Sequence, residues 1–174
     1  MIVVGIDPGK DGVICALDVA ERTASYLDIP YREDGIINGF MIERVFEGFA
    51  SAHKILIEKV QGRGGWGATQ CFNFGKNYGM LLGLLHHVPL HHVQPNAWQK
   101  SIHKGVKGAT AKDRSKSVFR SLNPSFRDIK KTDSGLIDAF LIARYGLEQS
   151  RVVFSDDWNF INLEDNYYAE TGSL

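Results

Sequence analysis

The chain has 174 residues, of which 44% are hydrophobic and 23% are charged, values that are ordinary for one soluble globular domain with a proper core. Its 20 Lys and Arg residues balance its 20 Asp and Glu residues, but this balance conceals a basic segment and an acidic C-terminal end. No apolar stretch approaches the length of a bilayer span, and the N-terminus lacks a signal-peptide pattern. We therefore expect no membrane partner and a cytoplasmic location, with Cys15 and Cys71 reduced in the core.

The first strand is predicted from an unbroken apolar run, Ile2 to Ile6, which is followed by a carboxylate, Asp7, and then by Pro8 and Gly9. A short apolar run bounded by turn residues is typical of a strand that is buried on both faces. Asp7 then lies where this strand reaches the surface. An Asp before Pro-Gly can simply cap a turn, and a second acid in a similar position favours a functional role.

The segments that follow predict a mixed sheet with helices on its faces. Residues 12–18 and 24–29 are predicted as strands that form antiparallel hairpins with the first. An amphipathic helix over residues 36–49 leads to a fourth strand over residues 53–58, and residues 90–93 form a fifth.

The fourth strand also ends in an acid, Glu58. Neighbouring parallel strands that each end in an acid bring the two side chains together, and such carboxylates repel unless one is protonated or a cation binds between them. Oxygen ligands suit Mg²⁺ or Mn²⁺. Alternatively, Glu58 is a surface residue paired with Lys59.

A glycine-rich loop and a glycine-striped helix come next. The loop QGRGGWG, residues 61–67, carries Arg63 and Trp66, which are suited to stacking on an unpaired DNA base, unless Trp66 folds back onto the core. In the helix predicted over residues 68–86, glycines recur every four residues, at 75, 79 and 83. Each glycine costs about 1 kcal/mol of helix propensity, so this stripe indicates close approach of another backbone, either the sheet or a second subunit.

A basic segment spans residues 100–131, with ten Lys or Arg and only two acids. Thr110 is predicted to cap a helix that runs to Leu122. A run of charge is usually a solvated helix face, but this density favours contact with phosphates. The predicted DNA contacts here are Lys100, Lys104, Lys107 and Arg114, together with Lys112 and Lys116.

The last predicted helix runs from about Ser134 to Leu147 and carries Asp138 on a face that is otherwise small and apolar. A carboxylate on a packing face is costly unless it is paired or binds a metal. Asp133, just before this helix, is either an N-cap or a further ligand. We divide the chain into a domain over residues 1–150 and an acidic, aromatic C-terminal tail over residues 151–174.

Five segments, in their order and spacing, resemble the RuvC-type Holliday junction resolvases, with the closer likeness to the phage-encoded and organellar branch. They are GIDPGKDG, ILIEKV, VQPNAWQK, KDRSK and DSGLIDAFLIA. The first and last are specific when found together, whereas the middle ones are weak alone. The resemblance covers roughly residues 1–146.

This resemblance implies an α/β, RNase H-like fold with a mixed five-stranded sheet and helices on both faces. It also implies a homodimer that binds branched DNA, above all four-way junctions, in a bacterial or phage-infected cytoplasm. Cleavage would use Mg²⁺ or Mn²⁺, two ions per active site, and leave nicks with 5′ phosphates.

The site residues implied by the resemblance are four acids and a lysine. Asp7 would bridge both ions, and Glu58 and Asp138 would hold one each. Many members carry an acid or His three residues before the last acid. Here that position is Gly135, so Asp133 is taken as its substitute. Lys112 or Lys116 would stabilise charge on the scissile phosphate.

Two other functions fit parts of the sequence. GIDPG also resembles the phosphate loop of the sugar-kinase and actin-like ATPases, but that fold needs two such domains and a second nucleotide loop, which 174 residues cannot hold. The chain could instead be a branched-DNA-binding module without catalysis, although Asp7, Glu58 and Asp138 in matching contexts argue against this.

Overall fold

The structure is a computed structural model, and it describes residues 1–9, 11–60, 65–126 and 133–164. The predicted DNA contact Arg63 lies outside these residues. Within them, no helix is both long and apolar enough to cross a membrane.

The described strands form one mixed sheet in the order β5-β4-β1-β2-β3-β6. The strands are β1 (Ile2–Asp7), β2 (Val13–Asp18), β3 (Thr23–Asp28), β4 (Lys54–Glu58), β5 (Leu90–Val93) and β6 (Asn159–Asn162). β1, β2 and β3 pair antiparallel, and β4 pairs parallel with β1 and with β5. The predicted hairpins and the predicted parallel pairing of the two acid-ending strands are therefore confirmed.

The sheet has six strands among the described residues, one more than predicted. The additional strand, β6, pairs parallel with β3 at the edge. It is only four residues long and has Asn at both ends, a residue that is depleted in strands, so its sequence carries little strand signal. Just before it, Trp158 is 4% exposed within the core. The first part of the segment predicted as a tail thus adds to the sheet.

Helices cover both faces of the sheet, as predicted. They are α1 (Gly39–Gly48), α2 (Ala68–Leu84), α3 (Pro95–Ile102), α4 (Ala111–Leu122) and α5 (Ser134–Gln149). Alternate residues of β1 point to opposite sides: Val3 packs with residues of α3, α4 and α5, whereas Val4 and Ile6 pack with residues of α1 and α2. Of the two cysteines, Cys15 is buried as expected, but Cys71 is exposed on α2.

α5 lies unusually close to the middle of the sheet because small residues face each other there. A Cβ at Gly5 of β1 would come within 2.2 Å of the Ala139 carbonyl oxygen, and one at Gly146 within 2.5 Å of Leu56 Cδ1. Only glycine fits the backbone approach at Gly5, whereas the neighbour of Gly146 is a side-chain methyl group. This packing brings Asp138 of α5 close to the end of β1.

The glycine stripe of α2 does not face the sheet. A Cβ at Gly75, Gly79 or Gly83 would meet nothing within 4 Å, and on the same face Phe72 is 71% exposed. The expectation that the sheet approaches this stripe is therefore wrong for the described residues, because the helix meets the sheet through Leu81 and Leu85 instead. A second subunit as its partner stays a prediction.

Candidate metal and nucleic-acid site

Three acids from three elements meet at one end of the sheet. Asp7 ends β1, Glu58 ends the neighbouring parallel strand β4, and Asp138 stands on α5 where that helix crosses β1. In a parallel pair the carboxyl ends of both strands lie at the same edge, and this is where α/β folds place their binding sites. The three acids line a single open cleft with a volume of about 1040 Å³.

The electrostatics show that these acids interact with one another. The pKa of Asp7 is raised from 3.8 to about 7, first by burial and then by the charges of Asp138 and Glu58. Burial likewise raises the pKa of Asp138 to about 6, and Glu58 adds to this rise. The charge of Lys112 lowers both pKa values, and the Gly9 amide, 3.0 Å from Asp7 Oδ1, also favours the charged form of Asp7. Asp7 and Asp138 thus share the charge of Lys112.

The donor set fits a hard divalent cation. Glu58 raises the pKa of both Asp7 and Asp138, and Asp138 raises that of Asp7. Acids placed this close favour binding of an ion that compensates their charge, and oxygen-only sites suit Mg²⁺ or Mn²⁺. As the side chains stand, no three His, Cys, Asp or Glu residues of the described ranges are grouped as a ready set of ligands. The site therefore supplies suitable ligands without a closed coordination shell.

The structure does not bring Asp133 into this group. Asp133 occupies the N-cap position of α5 but makes no capping hydrogen bond with its side chain. Its charge instead acts on Asp28, whose pKa is raised by burial first and then by Asp133 and Asp11. Among its neighbours it is Ser134 that lines the cleft. The role of Asp133 as a fourth ligand stays a prediction.

Of the predicted basic contacts that lie in the described part of the chain, Lys112 is the one that lines the cleft. It stands in the first turn of α4, which begins at the predicted cap: Thr110 and Asp113 form a reciprocal capping box. Lys116 lies one helical turn further along. Lys100, Lys104 and Lys107 are exposed on α3 and the loop after it.

Arg114 has a structural contact that the sequence did not indicate. Its guanidinium donates to the Gly108 carbonyl oxygen at 3.0 Å and so ties the loop to α4. Arg114 also lines a small hollow with Lys100.

The wall opposite the acids is aromatic and polar. Trp66 is half-buried and packs edge-to-face on Phe74, with ring centroids 5.2 Å apart, so it is neither freely exposed nor part of the core. Tyr31 joins the rim and donates its hydroxyl to the Gly9 carbonyl oxygen at 3.3 Å. Further cleft residues on α2 are Thr69, Gln70, Asn73 and Asn77.

Apart from Trp66, sequence reasoning missed this wall, although the stripe of polar and aromatic residues at helical spacing on α2 could have indicated it. It also missed the residues behind the acids. The Trp98 indole donates to Glu58 Oε2 at 2.7 Å, and the Ser115 side chain lowers the pKa of Asp138. The alternative in which Glu58 merely pairs with Lys59 on the surface is not what the structure shows.

The topology and the position of the acids define the class of fold. Three antiparallel strands followed by parallel ones, with a helix packed on the central strand and acids at adjacent strand ends, form the RNase H-like architecture that the motif resemblance predicted.

Among solved structures of this fold class, the chain is similar to two of RuvC and one of a mitochondrial Holliday junction resolvase. It matches the structure of Thermus thermophilus RuvC in complex with a Holliday junction substrate, with a TM-score of 0.64 and 17% identity over 87% of this chain and 95% of that one. A second Thermus thermophilus RuvC structure matches with a TM-score of 0.59 and 20% identity over 90% and 99% of the two chains.

A third match is the yeast mitochondrial Holliday junction resolvase Ydc2, with a TM-score of 0.53 and 18% identity over 82% of this chain and 76% of that one. No protein-family model matches the sequence, and neither does any curated protein. At these identities the matches establish the fold, and they agree with the predicted RNase H-like class.

Proposed function

We propose that this chain is a metal-dependent endonuclease that resolves four-way and related branched DNA by paired nicks that leave 5′ phosphates. The observation that carries the proposal is the meeting of Asp7, Glu58 and Asp138 with Lys112 in one open cleft. The fold adds support, since one similar structure is that of a resolvase solved with a Holliday junction substrate.

The three acids would hold Mg²⁺ or Mn²⁺, two ions in the fullest arrangement. When bound, such ions supply an activated water and stabilise the leaving oxygen of an in-line displacement. The protein's own part is to keep the acids charged and oriented. The Gly9 amide does this for Asp7 by donating a hydrogen bond, and the Ser115 side chain favours the charged form of Asp138.

Lys112 would contact the phosphate that is cut. It is the basic residue whose charge reaches both Asp7 and Asp138, so a phosphate at the acids lies within its field. The exposed lysines of α3 and the following loop would contact more distant phosphates, a contribution that weakens with salt. On the other side, Trp66 and Phe74 offer a surface on which an unpaired base would stack.

The proposal includes a homodimer, because two opposed nicks require two sites related by a twofold axis. The exposed face of α2, with Phe72 and the three glycines, offers the uncovered surface for such an interface. Small residues permit close approach of two helices.

The test is incubation of the purified chain with end-labelled four-way, flap and linear DNA, with and without Mg²⁺. The proposal predicts paired nicks in the four-way junction only with Mg²⁺. Tight binding of the junction without any cut, in Mg²⁺ or Mn²⁺, would favour the non-catalytic DNA-binding module instead.

A further inference from the structure

Two buried side chains stand behind the acids without lining the main cleft. Trp98 lies on α3 and is 0% exposed, and His103 is the C-cap of that helix and is 9% exposed. Neither was assigned a role from the sequence. Both carry ring N–H or N groups, which rarely stay buried without a hydrogen-bonding partner.

The Trp98 indole is fixed on Glu58. Its Nε1 donates to Glu58 Oε2 at 2.7 Å, which is short for an N–H···O bond and is expected when the acceptor is charged. An indole N–H only donates, so this bond fixes one carboxylate oxygen of Glu58, a residue that lines the cleft. Because the indole is enclosed by the core, Glu58 loses most of its rotational freedom.

His103 is linked to Asp138 in the same way, through one intermediate. Its Nε2 lies 3.1 Å from the Ser115 hydroxyl, and that contact is buried. The Ser115 side chain lowers the pKa of Asp138, as a hydrogen-bond donor to that carboxylate does. A hydroxyl has a single hydrogen, so if it donates to Asp138 it accepts from His103. The three side chains then form a directed relay of hydrogen bonds.

The two arms are one unit because the rings pack on each other. The Trp98 and His103 rings lie edge-to-face, with centroids 5.7 Å apart and planes at 71°. Movement of either ring would displace the other ring. A change at Trp98 would therefore reach the arm to Asp138, and a change at His103 would reach the arm to Glu58. α3 and α4 thereby connect the end of β4 to the middle of α5.

We propose that Trp98 and His103 form a buried positioning bracket that aims Glu58 and Asp138 at a shared divalent cation. The inference rests on the proposed function for its consequence, since it says how the acids are held ready to bind that ion. Hydrogen-bond partners of this type, once removed, cost about 10- to 100-fold in metal affinity or activity. Both residues are positioning residues, because neither touches the ion or the DNA.

The first test compares Trp98→Phe with a matched control, Trp158→Phe. Both substitutions shorten a buried indole on the same side of the sheet, but Trp158 Nε1 has no hydrogen-bond partner within the described residues. Mn²⁺ binding is measured by calorimetry on the full chain, beside junction binding in EDTA. We expect Trp98→Phe to weaken Mn²⁺ binding by about 10-fold or more and to leave junction binding intact, with Trp158→Phe unchanged in both.

A spectroscopic readout separates positioning from simple core filling. In the ¹H–¹⁵N spectrum, Trp98→Phe identifies the Trp98 indole signal among those of the three tryptophans. A charged acceptor shifts an indole N–H signal downfield, so Glu58→Gln should shift the Trp98 signal upfield. In the wild type, Mg²⁺ should shift the Trp98 signal and leave the Trp158 signal unchanged. A Trp98 signal that shifts neither in Glu58→Gln nor on addition of Mg²⁺ would overturn the proposed role of Trp98 toward Glu58.

The second arm is tested with Ser115→Ala and His103→Gln. Ser115→Ala removes the hydroxyl between His103 and Asp138 and should therefore weaken Mn²⁺ binding. His103→Ala should weaken it as well. In His103→Gln the side-chain amide keeps an N–H near the position of Nε2, so this variant should restore most of the affinity lost in His103→Ala. Equal Mn²⁺ affinity in Trp98→Phe, Ser115→Ala and Trp158→Phe would overturn the bracket while leaving the nuclease intact. No Mn²⁺ binding by the wild type overturns the proposed function and, with it, the role of the bracket toward the ion.

Discussion

Neutralising Asp7 should stabilise the protein in the absence of metal. Burial and the neighbouring acids raise the pKa of Asp7 from 3.8 to about 7. An acid whose pKa is raised on folding lowers stability as pH rises from its unfolded toward its folded pKa. At about 1.4 kcal/mol for each tenfold change in proton affinity, the full cost at pH 8 is about 4 kcal/mol, and contact with the cleft water reduces this to about 2–4 kcal/mol.

Asp7→Asn removes this cost while keeping an oxygen for the Gly9 amide. In EDTA at pH 8, thermal unfolding should therefore shift upward by roughly 5–10 °C, at about 2–4 °C per kcal/mol for a chain of this size. The gain should shrink as pH falls from about 7 toward 4 and should vanish only below the unfolded pKa of 3.8, where Asp7 of the wild type is protonated in both states. Mg²⁺ should stabilise the wild type and have little effect on the variant.

The matched control is Asp18→Asn. This aspartate ends β2 at the opposite end of the sheet, where it pairs with the N-terminal ammonium at 3.7 Å, so its neutralisation should not stabilise the chain. A variant Asp7→Asn that is less stable than the wild type in EDTA at pH 8 would refute the claim that Asp7 carries uncompensated charge. Equal stabilisation of the wild type and of Asp7→Asn by Mg²⁺ would show that Asp7 is not a metal ligand.

Three further outcomes are expected. Lys112→Ala should lower the slope of log K against log salt for junction binding by about one. Lys54→Ala, at the far end of β4, should leave this slope unchanged. Equal slopes in Lys112→Ala and the wild type would place Lys112 away from phosphate. Asp133→Asn should lower nicking across a Mg²⁺ series with little loss of thermal stability, as expected of a fourth ligand; full nicking would reduce the site to Asp7, Glu58 and Asp138. Gly79→Arg should give monomers in light scattering, and Gly48→Arg, at an equally open glycine of α1, should not; an unchanged dimer would place the interface elsewhere.

The parts of the fold that were predictable come from local patterns. β1 and β4 are short apolar runs that end in an acid, and the parallel pairing that brings Asp7 and Glu58 together follows from their order. Asp138 was recognisable because a charge interrupts the small, apolar face of a helix. The close packing of α5 on Gly5 completes the group.

What sequence reasoning missed depends on long-range packing. Trp98 and Glu58 are forty residues apart, and no periodicity links an indole on α3 to a strand end. The relay to Asp138 requires α3, α4 and α5 to meet, which their individual patterns do not specify. β6 was missed because its stability comes from pairing with β3 and from burial of Trp158 next to it, not from its own residues.

Cleavage of a labelled four-way junction is the most direct measurement on the central claim. Each strand is labelled in turn, the reaction is run with Mg²⁺ or EDTA, and wild type is compared with Asp7→Asn, which should still bind the junction. We predict symmetric nicks with 5′ phosphates by the wild type in Mg²⁺, and none in EDTA or by the variant. Nicking that persists in EDTA, or that Asp7→Asn performs at the wild-type rate, would contradict a nuclease site built on Asp7, Glu58 and Asp138.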